Sequence, residues 1–510
     1  MRTKNSVYNV IIGFLYILVH SFSSFIITNL ILSSFGSEIN GLISSAKQIL
    51  SYASLIEGGL GAACIVSYYK PLANNDIKII KSIFNESGKF YKRIGFIYSI
   101  FLLGCCILFP TFIYTSIGKV YTSFVLFFTG FSQCLQYLFL EQYQSLIIAD
   151  QKNRVVQLIT SVGELANILL VALSIKVFGI GDIIFIQSIN IICVIIKIAL
   201  CHLYFRKHYY EIYKCQTKER YKGVIQQQSA SFIHVIASQI SFSTDIVVLT
   251  IFRTLEEVSI YSIYNLICNF ISYIFNVLAN SVSSSFGDLY NKKKELFVER
   301  FRSYETVSIM INSIVTISIF CVLKGFIILY THRSDDVEYW NLMYSIFFIF
   351  IAYLNNLRTP HAAMIRASGN FEKTKYYFLG EAFINLLISL SLVQRYGICG
   401  VLIGTLFSVI FRDYFVIQFI YKQVIQIDIK KFLEVSLPNM IVTIVMSVIG
   451  LCFSIEFGSY IEFVFVGSIC MIFSSFIIFM VNYIFNQNNF MQVIIFLKGI
   501  KSSMLSKHLD

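Results

Sequence analysis

Apolar runs of roughly twenty residues recur along the whole chain, each long enough to cross a hydrocarbon core of about 30 Å. In lipid every backbone polar group must find its partner inside the segment, so runs of this length read as helices. A β-barrel would need runs about half as long with strict alternation, and the sequence shows none. Of the 510 residues, 56% are hydrophobic and 13% charged, against about 25% charged in a soluble protein. The chain therefore reads as an all-α integral membrane protein with about fourteen transmembrane helices.

The spans fall near 8–33, 42–68, 94–115, 121–148, 155–177, 182–205, 226–252, 258–285, 304–330, 339–364, 376–395, 397–421, 437–456 and 460–485. Between them the charges alternate in kind. One set of loops carries Lys70, Lys89, Lys92 and Arg93, then Lys152 and Arg154, then Arg206, Lys207 and Lys214, and the same side continues with Lys292, Arg366, Lys373, Lys422 and Lys430. The opposite loops hold few cations and more acids, among them Glu38, Glu257, Asp335 and Asp336. The positive-inside rule makes the basic side cytoplasmic and accounts for the net charge of +12 without nucleic acid. Both termini then lie inside, and the first apolar run reads as an uncleaved span because no small-x-small cleavage site follows it. Segment 69–92 reads as an amphipathic interfacial stretch, and the longest outer loop is about Thr331 to Trp340.

A shift of about 218 residues places Ala149, Asn167 and Gly179 on Ala367, Asn385 and Gly397, and Gly163-Glu164 on Gly380-Glu381 with a one-residue slip. It carries the first six spans onto the second six. Six is even, so the halves are expected as parallel repeats, 1–222 and 223–430, with 431–510 adding two further helices and a cytoplasmic tail.

Polar residues inside the spans carry the functional signal. Gln227, Ser231, His234, Ser238, Ser241 and Asp245 follow at steps of three and four, which puts them on one helix face. Asn265, Asn269, Ser272, Asn276 and Asn280 form a second such stripe, and Lys47, Ser51, Ser54, Gly58 and Gly61 a third, with Glu57 at its edge. Short stripes of Ser and Asn serve as interhelical glue; continuous ones point to water or substrate. Lys47, Lys197, Arg358 and Arg412, with Glu57, Glu141, Glu164, Asp245, Glu381 and Asp413, place charge at membrane depth, where it normally faces a bundle interior. Lys197 reads as a snorkelling side chain, and Asp413 is expected to point about 100° away from Arg412 towards another helix. A guanidinium at Arg358, between Asn355-Asn356 and Pro360-His361, suits a phosphate through bidentate hydrogen bonds. Asp245, Glu57 and Glu381 are the ion-coupling candidates, whereas His20 and His234 read as packing residues.

Soluble chemistry is missing. There is no P-loop, dinucleotide fingerprint, Gly-x-Ser-x-Gly elbow or metal-spaced His/Cys cluster, and the twelve cysteines read as apolar fillers. Neither a cofactor nor a metal is expected, and the chain does not read as an enzyme.

Several segments resemble one family. GSEINGLISSAKQILSYASLIEGGLG at 36–61, ADQKN at 149–153, SFGDL at 285–289 and RASGNFEKTKYYFLGEAFINLLISL at 366–390 resemble the Wzx-type polysaccharide flippases of the multidrug/oligosaccharidyl-lipid/polysaccharide transporter superfamily. The resemblance covers residues 1 to about 425. It implies two six-helix lobes around a central cavity, a MATE-like fold and alternating access in the bacterial inner membrane. It also implies an undecaprenyl-pyrophosphate-linked oligosaccharide as substrate, carried to the outer leaflet for O-antigen or capsule assembly, with a polysaccharide polymerase and chain-length regulator as partners beside membrane lipids. In that picture Lys47, Arg358 and Arg412 attract the pyrophosphate, while Asn265, Asn269, Asn276 and His234 line the cavity. The alternatives are a multidrug or metabolite cation antiporter of the same superfamily, which predicts twelve spans, and a membrane glycan polymerase or glycosyltransferase, which the short outer loops disfavour.

Overall fold

A computed structural model gives the structure of the chain and describes residues 2–57, 60–113, 115–215, 229–292, 294–452, 455–487 and 490–491. Among these the architecture is all-α, without strands. The helices are α1 (Arg2–Ser51), α2 (Leu60–Ala73), α3 (Ile77–Phe112), α4 (Lys119–Leu135), α5 (Glu141–Ala149), α6 (Asn153–Lys176), α7 (Ile183–His208) and α8 (Tyr210–Lys214). They continue as α9 (Ser229–Phe252), α10 (Leu255–Lys292), α11 (Lys294–Thr331), α12 (Leu342–Leu357), α13 (Thr359–Ser368), α14 (Phe371–Phe419), α15 (Lys430–Cys452) and α16 (Tyr460–Phe485). Among the described residues, ten helical stretches are long and apolar enough to cross a membrane, and Ser243–Phe252 is a shorter apolar one.

Two of the longest helices are interrupted by glycine. Gly36 in α1 has φ 80° and ψ −178°, and Gly397 in α14 has φ 56° and ψ −132°. A Cβ disfavours that backbone, so glycine is where a continuous apolar run can turn. Proline plays little part: Pro71, Pro110 and Pro438 lie within helices, while Pro360 stands in the first turn of α13, where its missing N–H costs nothing.

The structure corrects three boundaries. The expected span at 42–68 is broken, with a 3₁₀ turn at Tyr52–Ile56 followed by α2. The span at 339–364 is broken at Arg358, between α12 and α13. Within the expected interfacial segment 69–92, α2 ends at Ala73, Asn75 turns the chain at φ 53°, and Asp76 caps α3 by accepting from the Ile79 amide at 3.1 Å. Residues 77–92 are thus the first turns of α3, continuous with its apolar run to Phe112.

The chain forms two compact units, one of Met1–Leu266 and Asn385–Val401, the other of Ile267–Ile384 and Leu402–Asp510. In the first, Leu42, Ile43, Leu102, Val125, Leu126 and Ile186 share one apolar core. A second core gathers Tyr68, Ile83, Phe84, Leu146, Ile147 and Phe205, with Phe84 stacked on Phe205 at 4.8 Å between ring centroids. The second part of α1 packs on α9 and α10 through polar contacts. Asn40 donates to Ser259 at 2.7 Å, Ser45 and Thr250 share a hydrogen bond at 2.7 Å, and Ser51 meets Ser243 at 3.1 Å. In the second unit α11 and α16 pack through Met310, Ile317 and Ile478, with Val442 and Met446 of α15 against them. Asn439 and Asn482 exchange reciprocal amide hydrogen bonds at 3.1 and 2.8 Å, and Ser318 and Ser474 share one at 2.8 Å. Between apolar faces such pairs contribute about 0.6 kcal/mol each and fix which faces meet.

Two pairs of left-handed backbone positions share one spacing. Gln151 and Gly369 have φ 59° and 69°, Gly179 and Gly397 have φ 61° and 56°, and both pairs stand 218 residues apart.

Candidate functional site

The densest group of buried charge lies in the second unit. Arg358 sits at the break between α12 and α13, where its carbonyl accepts from the amides of His361 and Ala362 at 2.9 and 3.0 Å. Helix α14 supplies Glu381 from its first part and Arg412 and Asp413 from beyond the Gly397 break. Arg412 donates through Nη1 to Glu381, through Nε to Asp413 at 2.9 Å and through Nη2 to Asn355 at 2.7 Å. Arg412, Asp413 and Glu381 are buried. The Arg358 side chain is 17% exposed, with Nε 3.3 Å from Oδ1 of Asp413 and its guanidinium 5.8 Å from the Phe378 ring centroid.

Two guanidiniums and two carboxylates make this network neutral, and it is unevenly satisfied. The approach of Arg358 Nε to Asp413 lacks hydrogen-bond geometry, and the Oδ2 of Asp413 is buried without a donor among the described residues. Arg412 is locked; Arg358 keeps donors to spare. A side chain held by charge attraction and an aromatic face, with unused donors, can accept an anionic group without first losing hydrogen bonds.

The structure thus brings Arg358, Arg412 and Glu381 into one network and adds Asn355 and Asp413. It corrects the expectation for Asp413, which does not turn away from Arg412: the long arginine side chain folds back and reaches its own neighbour. Lys47 lies in the first unit, with its side chain exposed and no hydrogen bond or ion pair among the described residues. Asn265 and Asn269 on α10 are half-buried and Asn276 is exposed. The His234 side chain falls outside the described residues, as do those of Ser231, Ser238 and Ser241 and all of Gln227.

Asp245 is buried in the first unit, where Tyr261 donates to its Oδ2 at 2.7 Å and Asn385 to its Oδ1 at 3.2 Å. One turn beyond Asn385, Ser389 donates to the Val401 carbonyl at 3.4 Å. Glu57 stands at the turn after the 3₁₀ segment. A Cβ on Gly61 would come within 2.3 Å of its Oε1, so glycine makes room for it.

A further buried group was missed in the sequence. His361 Nε2 lies 2.8 Å from Oε1 of Glu305, and Tyr421 donates to the other oxygen of that carboxylate at 2.5 Å, joining α11, α13 and the π-helical turn after α14. The available signal was Glu305 itself, an acid inside an apolar run. At the ends of α5 and α7, Tyr209 donates to Asp150 at 2.7 Å; burial first and that acceptor second hold its phenol above the ordinary tyrosine range. Among the described residues no group of His, Cys, Asp and Glu is arranged to hold a metal ion.

No protein-family profile matches the chain, and no curated protein matches it by sequence. Solved structures do. A lipid II flippase MurJ in an inward closed conformation superposes with a TM-score of 0.62 at 16% identity, covering 92% of this chain and 99% of its own. A multidrug resistance MATE family transporter of the MOP superfamily, inward-facing, gives 0.62 at 12% identity over 86% and 98%. A MOP superfamily transporter from Pyrococcus furiosus, whose binding pocket is described as of reverse polarity, gives 0.60 at 14% over 81% and 94%. The chain has the fold of these MOP superfamily transporters and is a multi-pass membrane protein.

Proposed function

We propose that the chain is a flippase that moves undecaprenyl-pyrophosphate-linked oligosaccharide repeat units from the cytoplasmic to the outer leaflet by alternating access, for O-antigen or capsule assembly. The observation that carries this reading is Arg358, a guanidinium at membrane depth with unused donors. A pyrophosphate meets that chemistry better than a cationic drug would, because its oxygens accept from the unused donors and a cation offers them no acceptor. Lys47 is the second phosphate-binding cation and Arg412 the third, the latter acting through the position it gives Arg358 and Asp413. Asn265, Asn269, Asn276 and His234 face the sugar hydroxyls. Asp245 with its oxygen neighbours is the coupling site for an ion, with Glu57 and Glu381 as further acids for that role. The repeats, 1–222 and 223–430, act as the two moving lobes, with the helices of 431–510 beside them. The chain sits in the bacterial inner membrane with both termini cytoplasmic, works with a polysaccharide polymerase and chain-length regulator, and catalyses no covalent step. The fold likeness to a lipid II flippase over nearly the whole of both chains supports this reading.

A cation antiporter is the second reading, supported by the equal TM-score of a MATE transporter. Purified chain in liposomes loaded with a fluorescent undecaprenyl-pyrophosphate saccharide separates the two. Inner-leaflet label becoming accessible to an impermeant quencher supports the flippase. Extrusion of a cationic dye without lipid movement establishes the antiporter.

A further inference from the structure

The buried pair of His361 and Glu305 has no role in the reading above, yet it adjoins Arg358. The imidazole is fully buried, and Glu305 and Tyr421 are 2% and 1% exposed. Nε2 of His361 lies 2.8 Å from Oε1 of Glu305 on α11, and the other carboxylate oxygen accepts from Tyr421 at 2.5 Å. Phe301 of α11 and Phe432 of α15 stand edge-on to the imidazole at 5.8 and 5.4 Å between centroids, with Tyr421 tilted at 6.0 Å. Thus α11, the π-helical turn after α14, and α15 all meet on one side chain of α13.

Such a joint is costly. Nδ1 and Nε2 of His361 and Oε1 of Glu305 are buried without a hydrogen-bond partner among the described residues, because the 2.8 Å approach lacks hydrogen-bond geometry. Apolar side chains of similar volume hold helices together at least as well as a buried charged pair. What they lack is direction, which the carboxylate and the phenol give the imidazole.

That direction reaches Arg358 through the backbone. The His361 and Ala362 amides donate to the Arg358 carbonyl at 2.9 and 3.0 Å, and the Thr359 hydroxyl donates to the Asn355 carbonyl at 3.2 Å. Pro360, between Thr359 and His361, adds a fixed φ. The break is therefore held on one side by Asn355, which Arg412 anchors at 2.7 Å, and on the other by His361. The Arg358 side chain itself has the 3.3 Å approach to Asp413 and the Phe378 face, and no hydrogen bond among the described residues.

We infer that His361 is a positioning residue for an anion site at Arg358: pinned by Glu305, Tyr421 and Phe432, it sets the first turn of α13 and so aims the guanidinium. The inference rests on the reading of Arg358 as a phosphate-binding group. A guanidinium grips a diphosphate through two parallel bonds, so a small rotation of the backbone that carries it costs one of them. The imidazole acts without touching the ligand and without changing its protonation. Through Phe432, α15 acts on the site as well.

The test uses the full chain with two probes: inorganic pyrophosphate in detergent, followed by the rise of the unfolding midpoint with ligand, and the fluorescent undecaprenyl-pyrophosphate saccharide in liposomes. His361→Leu is expected to weaken pyrophosphate binding by about tenfold, the value of one charge-assisted bond. It should raise the lipid concentration for half-maximal flipping by a similar factor, with a smaller effect on the maximal rate. His361→Gln, which keeps a donor near Nε2, should restore most of the affinity, and Phe432→Ala should weaken it. Leu102→Ala, a core truncation in the first unit, should lower the unfolding midpoint and leave the affinity unchanged. Should His361→Leu fail to fold, Phe432→Ala carries the test. Lost stability with unchanged pyrophosphate affinity, in either variant, makes the joint merely structural and overturns the inference. Absence of pyrophosphate binding by the unaltered chain overturns it together with the reading of Arg358. Binding that depends on His361 without any lipid movement sinks the flippase reading and leaves the positioning role standing.

Discussion

Asp413 accepts a hydrogen bond from Nε of Arg412 at 2.9 Å while its same oxygen lies 3.3 Å from Nε of Arg358. One buried carboxylate therefore holds two guanidiniums apart from outright repulsion. Asp413→Asn leaves both cations to Glu381 alone, and the expected loss is about 3–5 kcal/mol, the cost of an uncompensated buried charge. Thermal unfolding in detergent reads it, and adding Arg358→Met to that background should recover part of the loss, a coupling that independent sites would not show.

Arg358→Ala and Arg412→Ala should fail differently. Arg412 makes hydrogen bonds to Glu381, Asp413 and Asn355, so its removal strands two acids and is expected to lower folded yield sharply. The Arg358 side chain makes none among the described residues, so Arg358→Ala should cost clearly less stability than Arg412→Ala and cut lipid flipping by about tenfold or more, the value of one lost charge-assisted contact. Equal damage to stability from both variants would refute the assignment.

The two left-handed glycines at the repeat offset permit a controlled comparison. Gly179 has φ 61° and open space where a Cβ would stand; Gly397 has φ 56°, and its Cβ would come 3.1 Å from Glu257 and 3.3 Å from Arg253. Gly179→Ala is expected to cost only the backbone strain, about 1 kcal/mol, and Gly397→Ala about 1–3 kcal/mol. Equal unfolding midpoints for the two variants would mean that the Arg253–Glu257 pair simply gives way.

Much of this architecture was legible because lipid leaves a chain few options: length and hydropathy alone mark where helices cross. Breaks were less so. Gly36 and Gly397 look like any glycine in an apolar run, and only their backbone angles reveal a turn. At the site, the rarity of charge in the spans singled out Arg358, Arg412 and Glu381 before any coordinates. Helical spacing misled for Asp413, because a side chain as long as arginine reaches beyond the arc its Cβ defines. His361 and Glu305 come from distant helices, and no spacing rule links residues whose meeting depends on packing.

Tyr209 sits outside the spanning segments, where pH can act on it directly. Its phenol donates to Asp150 at 2.7 Å, and Lys152 pairs with the same carboxylate oxygen at 2.7 Å. Burial, then the acceptor carboxylate, raise its pKa above the usual value of about 10. A raised pKa means that the folded chain keeps this proton longer than the unfolded one, so the contribution is fully present below about pH 10 and is lost as pH rises through the folded value. Tyr209→Phe is expected to cost about 1 kcal/mol at neutral pH and to flatten the alkaline loss of stability measured by unfolding at pH 9 to 11, roughly the range in which phenols ionise.

Asp245 offers the sharpest test of ion coupling in the first unit, because its neighbours are neutral donors of known geometry. Tyr261 and Asn385 hold its two oxygens at 2.7 and 3.2 Å. Asp245→Asn keeps the shape and removes the charge that would attract a cation, whereas Tyr261→Phe keeps the charge and frees one oxygen. If Asp245 binds the coupling ion, Asp245→Asn should make flipping in liposomes insensitive to the sodium gradient. Tyr261→Phe should retain sodium dependence with altered apparent affinity. A structural carboxylate predicts another pattern: both variants lower the unfolding midpoint, and the sodium response of whatever transport remains is unchanged.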